Sequence, residues 1–303
     1  MNLSALSMAI ALLAGPVVAM AQDLGTSFEN LKDAESKKDA ALVKKLAAET
    51  CALARQMSSE PAPQAADEKE AWASRVAYAK EVEVHTEYSL FATAVQSPPA
   101  TLVDLISALE QQNPKSKYLN DAYGFYFAAL GQTGAAEKVP AIAEKALANF
   151  PENEDLLLLL ADTAVNRKQT DRALGYATRL TAAINRHPKP EGASADWERR
   201  RTATLARGYW IAGVIYGDKN QYANADKTLR AALPLIKGND AMMGPALFYL
   251  GLANYNLGKM TLNKARVLEG AKFSEQAAAV TGPYAQQAWL NAKLMKDDAA
   301  KMR

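Results

Sequence analysis

From Ser27 to Met57 the apolar residues Leu31, Leu42, Leu46 and Leu53 recur on one side of a helical wheel, and Lys-, Asp- and Glu-rich residues fill the other side. This pattern predicts one long amphipathic helix after a short extended lead. Cys51 falls in its stripe with Leu46, Leu53 and Met57 and reads as a small core residue. Residues 58–67 (SSEPAPQAAD) carry two prolines and no periodicity, which predicts a loop. A second long helix follows over 68–96, with Val84, Tyr88, Phe91 and Val95 at helical spacing as its apolar face, and Pro98-Pro99 stops it. Thr101 followed by Asp104 has the form of a capping box opening a helix over 102–112, which Asn113-Pro114 ends. Beyond that point the helical segments are shorter and are separated by a few polar residues, often with Gly or Pro. No segment alternates with period two, so no strand is predicted.

The second half of the chain repeats itself. Over 206–239, Tyr209, Ala212, Gly213 and Tyr216 fall on one helix, and Tyr222, Ala225, Leu229 and Ala232 fall on the next. The same order of large and small residues fits 154–187, through Leu157, Leu160, Ala161, Ala164, Ala173, Ala177 and Leu180. Two further copies fit with adjustments. In 117–151, Tyr123, Gly124, Phe127, Gly131, Ala143, Ala146 and Pro151 match if a few residues are inserted around 133–139. In 244–282, Leu247, Leu250, Gly251, Tyr255 and Gly258 match, with a displaced second helix over 265–278.

This order resembles the tetratricopeptide repeat, a helical hairpin of about 34 residues, over roughly residues 115–282. The resemblance implies an all-α fold of antiparallel hairpins stacked as a right-handed solenoid. Gly or Ala at each crossing lets the helices approach, and a large neighbour fills the space. One hairpin cannot cover its own apolar face, so such arrays need several units and a terminal cap. The polar helix over 283–301 suits that role. The expected organisation is a repeat array with its capping helix over 101–303, preceded by a helical hairpin over 22–100. That hairpin is either a diverged repeat or a separate element packed on the array.

Residues 5–20 form an apolar stretch broken only by Ser7, Gly15 and Pro16, too short and interrupted to span a bilayer. Ala19-Met20-Ala21 then places small residues where a signal peptidase reads them, ahead of polar Gln22 and Asp23. The expectation is a signal peptide over 1–21, cleaved after Ala21, and a mature protein in the periplasm or outside the cell without a membrane span. No Lys or Arg precedes the apolar run, so only the terminal amine supplies its positive charge.

The formal net charge of +2 gives no reason to expect nucleic acid as a partner. Glu81 and His85, four apart on a helix, are a two-ligand face at most; a metal site needs further ligands, so the pair reads as a solvated helix pair. His187 sits in the Pro-rich insertion 187–196 and reads as exposed. Gly208, Gly213 and Gly217 lie within a helical pattern with no strand before them, which argues against a phosphate loop. Asp297-Asp298 read as solubilising. Arg199, Arg200, Arg201 and nearby Arg207, beside Trp197, are either an anion site or a solvated helix start, and charge runs favour the latter. No nucleophile elbow, His-Glu-x-x-His pair or Walker-type loop occurs, so neither a catalytic residue nor a cofactor or metal ligand is expected.

The resemblance also implies where a partner would sit. First helices of tetratricopeptide hairpins line the concave surface, which here would present Asp121 and Phe125; Leu158, Asp162 and Val165; Trp210 and Val214; and Phe248, Leu252 and Tyr255. Leu158 and Asp162 stand where a carboxylate clamp would need Lys and Asn, so recognition of chaperone tails is not implied. An aromatic lining instead suits a hydrophobic stripe of another protein or peptide, unless the N-terminal helices fill the groove themselves. The function expected is a non-catalytic interaction scaffold outside the cytoplasm. Self-association as a structural envelope component, and an accessory or hydrolytic role, are the alternatives.

Overall fold

The computed structural model describes the backbone of residues 15–302 and the side chains of 23–302. The chain divides into two compact units, Met1–Val139 and Pro140–Arg303. Among the described residues there is no strand, and no helix is long and apolar enough to cross a membrane.

In the first unit α1 (Gly15–Ser36), α2 (Ala40–Ser58), α3 (Lys69–Val95), α4 (Pro99–Gln112) and α5 (Lys117–Gln132) each pack on the next, and α3 also touches α1 and α5. A short 3-10 turn, Ala136–Lys138, leads to α6 (Val139–Asn149). In the second unit α7 (Glu154–Asn166), α8 (Thr170–Arg186), α9 (Ala195–Asp218), α10 (Tyr222–Ala232), α11 (Asp240–Met260), α12 (Lys264–Ala279) and α13 (Ala285–Lys301) pack in sequence order. There α7 meets α9, α9 meets α11, and α11 meets α13. The described fold is thus all-α, with helices paired consecutively.

Four details depart from the sequence expectations. The single helix expected over 27–57 is two. α1 already runs through residues 22–26, where the short extended lead was expected, and the chain turns back at Lys37–Asp39 before α2. Most of the expected signal peptide, residues 1–14, lies outside the described residues. The capping box is also absent: α4 starts at Pro99, Thr101 sits inside it, and Asp104 pairs with Lys44 at 2.6 Å. Proline at the first helical position loses no hydrogen bond, because that N–H has no intrahelical partner anyway. The face of α3 that looked apolar is the wrong one, as described below. The last helix is not polar all round either: Trp289, Leu290 and Leu294 are exposed on α13.

One turn recurs. After α1, α5, α7, α9 and α11, the amide three residues past the last helical residue reaches back to a carbonyl in that helix's last turn. These bonds are Asp39 to Ala34 (3.1 Å) and, at 2.8 Å each, Ala135 to Leu130, Gln169 to Ala164, Gln221 to Tyr216 and Asn263 to Gly258. The residue just before that amide is left-handed every time: Lys38 (φ 55°), Gly134 (77°), Lys168 (55°), Asn220 (58°) and Leu262 (53°). This is a Schellman ending, which satisfies carbonyls left over at the helix end. Its occurrence after α1 gives α1–α2 the same hairpin turn as the repeats, without the Gly or Pro that would have marked it in the sequence. Asp39 and Asn263 then cap the next helix, accepting from Leu42 N (3.0 Å) and Arg266 N (3.0 Å).

Small residues let the second unit's helices cross closely. A Cβ on Gly213 would come within 2.5 Å of Leu229, and one on Gly270 within 2.7 Å of the Tyr255 backbone nitrogen. In the first unit Cys51 is 2% exposed, and burial pushes its thiol pKa up, as befits a core position.

Candidate interaction surface

Helix α3 has two stripes that both carry apolar residues. Ala79, Val82, Leu90 and Ala94 are buried, joined by Thr86. Val84, Tyr88 and Val95 are 43%, 46% and 38% exposed, so the larger residues face outward. The reason is the one that governs the repeats: close helix packing favours the stripe of small residues, and bulk is left over for the open side.

That open side carries an aromatic chain across α1, α3 and α5. Phe28 meets the His85 ring at 4.9 Å and His85 meets Tyr88 at 5.8 Å. Tyr88 meets Tyr118 at 5.8 Å, and Tyr118 stacks on Phe91 at 5.7 Å. Phe125, further along α5, is 57% exposed. Beside Tyr88 opens a cavity of about 540 Å³, lined among others by Glu35, Tyr88, Ser89, Thr93, Gln96 and Thr101. Glu35 Oε1 accepts from the Ser89 hydroxyl and lies 3.2 Å from His85 Nε2. His85 therefore finds its carboxylate on α1, in Glu35, while Glu81 is exposed on α3. The serine points to the carboxylate and not to the imidazole, so these three groups do not form the relay that would activate a nucleophile.

In the second unit the first helices α7, α9 and α11 carry most of the expected partner-binding residues. Leu158, Asp162, Val165, Trp210, Val214, Phe248, Leu252 and Tyr255 are all half-buried. Arg207 links two of them: its guanidinium binds Asp162 at 2.7 Å and lies 4.8 Å over the Trp210 ring. Trp210 donates its indole N–H to the Met242 carbonyl at 2.8 Å. Phe248 packs on Tyr284 at 4.8 Å. Leu252 and Tyr255 pack against the cluster of Val267, Ala271, Met295 and Ala299, and the Tyr255 hydroxyl donates to Asp298 at 2.6 Å. The far end of this face is thus partly covered by α13.

The basic cluster is divided among separate partners. Arg199 pairs with Asp196, and Arg201 donates to the Ile184 and His187 carbonyls while lying 4.9 Å over Trp197. The expectation for His187 is corrected in part: its ring, though 42% exposed, sits 3.0 Å from Glu154 and 3.2 Å from Glu152. Among the described residues no cluster of three or more His, Cys, Asp or Glu is arranged to hold a metal ion.

Sequence reasoning missed the inward stripe of α3, Tyr118 and the cavity. The signal for the stripe was present, since Ala79, Val82, Thr86, Leu90 and Ala94 run at helical spacing and are smaller than their neighbours. The cavity needed tertiary knowledge, because it joins α1, α3 and the start of α4. No protein-family model matches the chain, and no characterised protein matches it either.

Proposed function

We propose that the chain is an exported, non-catalytic scaffold of the tetratricopeptide type, a right-handed helical solenoid whose first-helix faces dock a hydrophobic segment of another protein. The observation that carries this reading is the open aromatic chain of the first unit. Tyr88 and Phe125 are large, 46% and 57% exposed, and supported from below by packed helices, as binding anchors are. The cavity beside Tyr88 is within the size range of sites that hold a small molecule and has room for one side chain of a docked segment. Glu35 and the hydroxyls around it would orient a donor-bearing side chain of the docked segment there. Export rests on the apolar run over 5–20 and the small residues before Gln22.

A photoreactive phenylalanine analogue at position 88 or 125 tests the reading in cells that make the protein. The expected result is an adduct with one other protein of the envelope or medium, lost when Tyr88→Ser accompanies the probe at 125. A probe at Lys227, exposed on α10, should capture nothing. No adduct, or equal capture at 227, refutes docking on this face.

A second reading has its own observation. Trp289, Leu290 and Leu294 are 59%, 46% and 53% exposed on the outer side of α13, a face that would suit self-association. Concentration-dependent dimerisation abolished by Leu290→Glu would favour it; a monomer at all concentrations would remove it.

A further inference from the structure

Leu262 stands out among the five recurrent turns. The left-handed position holds Lys38, Gly134, Lys168 and Asn220 in the other four. Glycine and asparagine suit that backbone, and a lysine there can keep its charge in water. Leucine gains nothing from the turn. Its backbone is disfavoured for a side chain of this kind, and the side chain is 83% exposed. Two residues earlier Met260 is 75% exposed. These are the two most exposed large hydrophobic side chains among the described residues, and both lie at the tip of the α11–α12 hairpin. Neither the core nor the turn accounts for them.

The surroundings of the tip are basic. Lys259 precedes Met260 and Lys264 follows Leu262. The end of α13 lies alongside: Lys264 donates to the Met302 carbonyl at 3.0 Å, and Lys259 and Lys301 share Asp298 at 3.0 and 3.9 Å. Three lysines thus flank two protruding apolar chains, and among the described residues the carboxylate that pairs with any of them is that of Asp298. The tip is convex and its two apolar chains are unbranched or flexible enough to enter a soft medium. An ordered protein partner would need a matching pocket, whereas a lipid surface needs only anionic headgroups for the lysines and acyl chains for Met260 and Leu262.

We propose that the α11–α12 tip is a membrane-surface contact, with Met260 and Leu262 entering the headgroup–acyl boundary and Lys259, Lys264 and Lys301 facing anionic lipid headgroups. This contact is independent of the docking face and stands or falls separately from it.

The test reads the tip itself, so that the apolar residues 5–20 cannot supply the signal. Met260→Cys in the full chain carries an environment-sensitive dye; Cys51, being buried, stays unlabelled. Asn220→Cys, in the equivalent turn, is the control. Vesicles of phosphatidylglycerol and phosphatidylcholine in equal parts should shift the dye at 260 to the blue, while the dye at 220 stays unchanged. Phosphatidylcholine alone should give a much weaker shift, and Lys264→Ser should weaken the response to the mixed vesicles about fivefold. Leu262→Asn separates binding from folding. Asparagine relieves the left-handed strain, so the melting temperature should rise while the vesicle response falls severalfold. The proposal is overturned if the mixed vesicles leave the dye at 260 unchanged or shift both positions alike. It is also overturned if the shift appears without vesicles as protein concentration rises, which would make the tip a contact between copies.

Discussion

The two units solve the same packing problem with different residues. In the second, glycines sit where helices cross: a Cβ on Gly213 would meet Leu229, one on Gly258 would come within 2.7 Å of Val267, and one on Gly270 would meet the α11 backbone. In the first unit Gly25, Gly131 and Gly134 have nothing within 4 Å of that position, and the inward stripe of α3 is built from Ala, Thr, Val and Leu. The surfaces differ in parallel. The second unit's first-helix face is tied together by Arg207, Asp162 and Trp210 and partly covered by its last helix. The first unit's aromatic chain has a cavity opening beside it. Close packing and open aromatic surface are thus separated along the chain, and the region that looks most like a repeat presents the less open face.

The largest effect should come from testing which side of α3 faces in. Leu90 is 1% exposed and Tyr88 is 46% exposed, although they are two residues apart on one helix. Leu90→Ala should cost about 3 kcal/mol through lost burial and the cavity it leaves. Tyr88→Ser should cost less than about 1 kcal/mol, the value of its exposed ring contacts, while removing partner capture. Chemical denaturation of both variants decides the matter. If Tyr88→Ser proved the more damaging, the stripe assignment for α3 would be reversed, and the aromatic chain would be core.

The glycine contrast is the next test and predicts opposite signs. Gly270→Ala places a methyl against the backbone of α11, which cannot move aside as a flexible side chain could, and should destabilise by about 2 kcal/mol. Gly131→Ala, in α5 with open space around it, should stabilise by about 0.5–1 kcal/mol by removing glycine from a helix. Two destabilising results of similar size would mean that both units use glycine in the same way.

This difference also explains what could be read in the sequence. The hairpins over 154–279 were legible because Ala161, Ala212, Gly213, Leu229 and Gly251 mark crossings by size alone, a property that sequence displays directly. The α1–α2 break was not legible: Lys38 takes the left-handed position that Gly134 and Asn220 advertise elsewhere, and a lysine gives no such signal. The α3 face was misread because total hydrophobicity favoured Tyr88 and Phe91, whereas packing selected the smaller stripe. Of the site, Phe125, Asp162 and Trp210 were reached through the repeat frame. Arg207 was noticed only as charge, and its role between Asp162 and Trp210 depends on α7 and α9 lying side by side.

The smallest expected effect concerns how α13 covers the second unit's face. Hydrogen bonds from the Tyr255 hydroxyl and the Lys259 ammonium hold the Asp298 carboxyl pKa below the ordinary carboxylate value. A depressed native pKa means the unfolded chain binds the proton more readily, so this attachment is complete above the unfolded value of about 4. It is lost as pH falls through the lower native value. Asp298→Asn should therefore speed hydrogen exchange in α13 at neutral pH, and the wild type should approach the variant as the solution becomes strongly acidic. Exchange in α2, measured in the same samples, should not distinguish the two proteins at neutral pH. A variant that exchanges like the wild type in α13 at neutral pH would show that the apolar contacts of Met295 and Ala299 hold this helix alone. Leu252 and Tyr255 would then stay covered at any pH, leaving the first unit's aromatic chain as the open face.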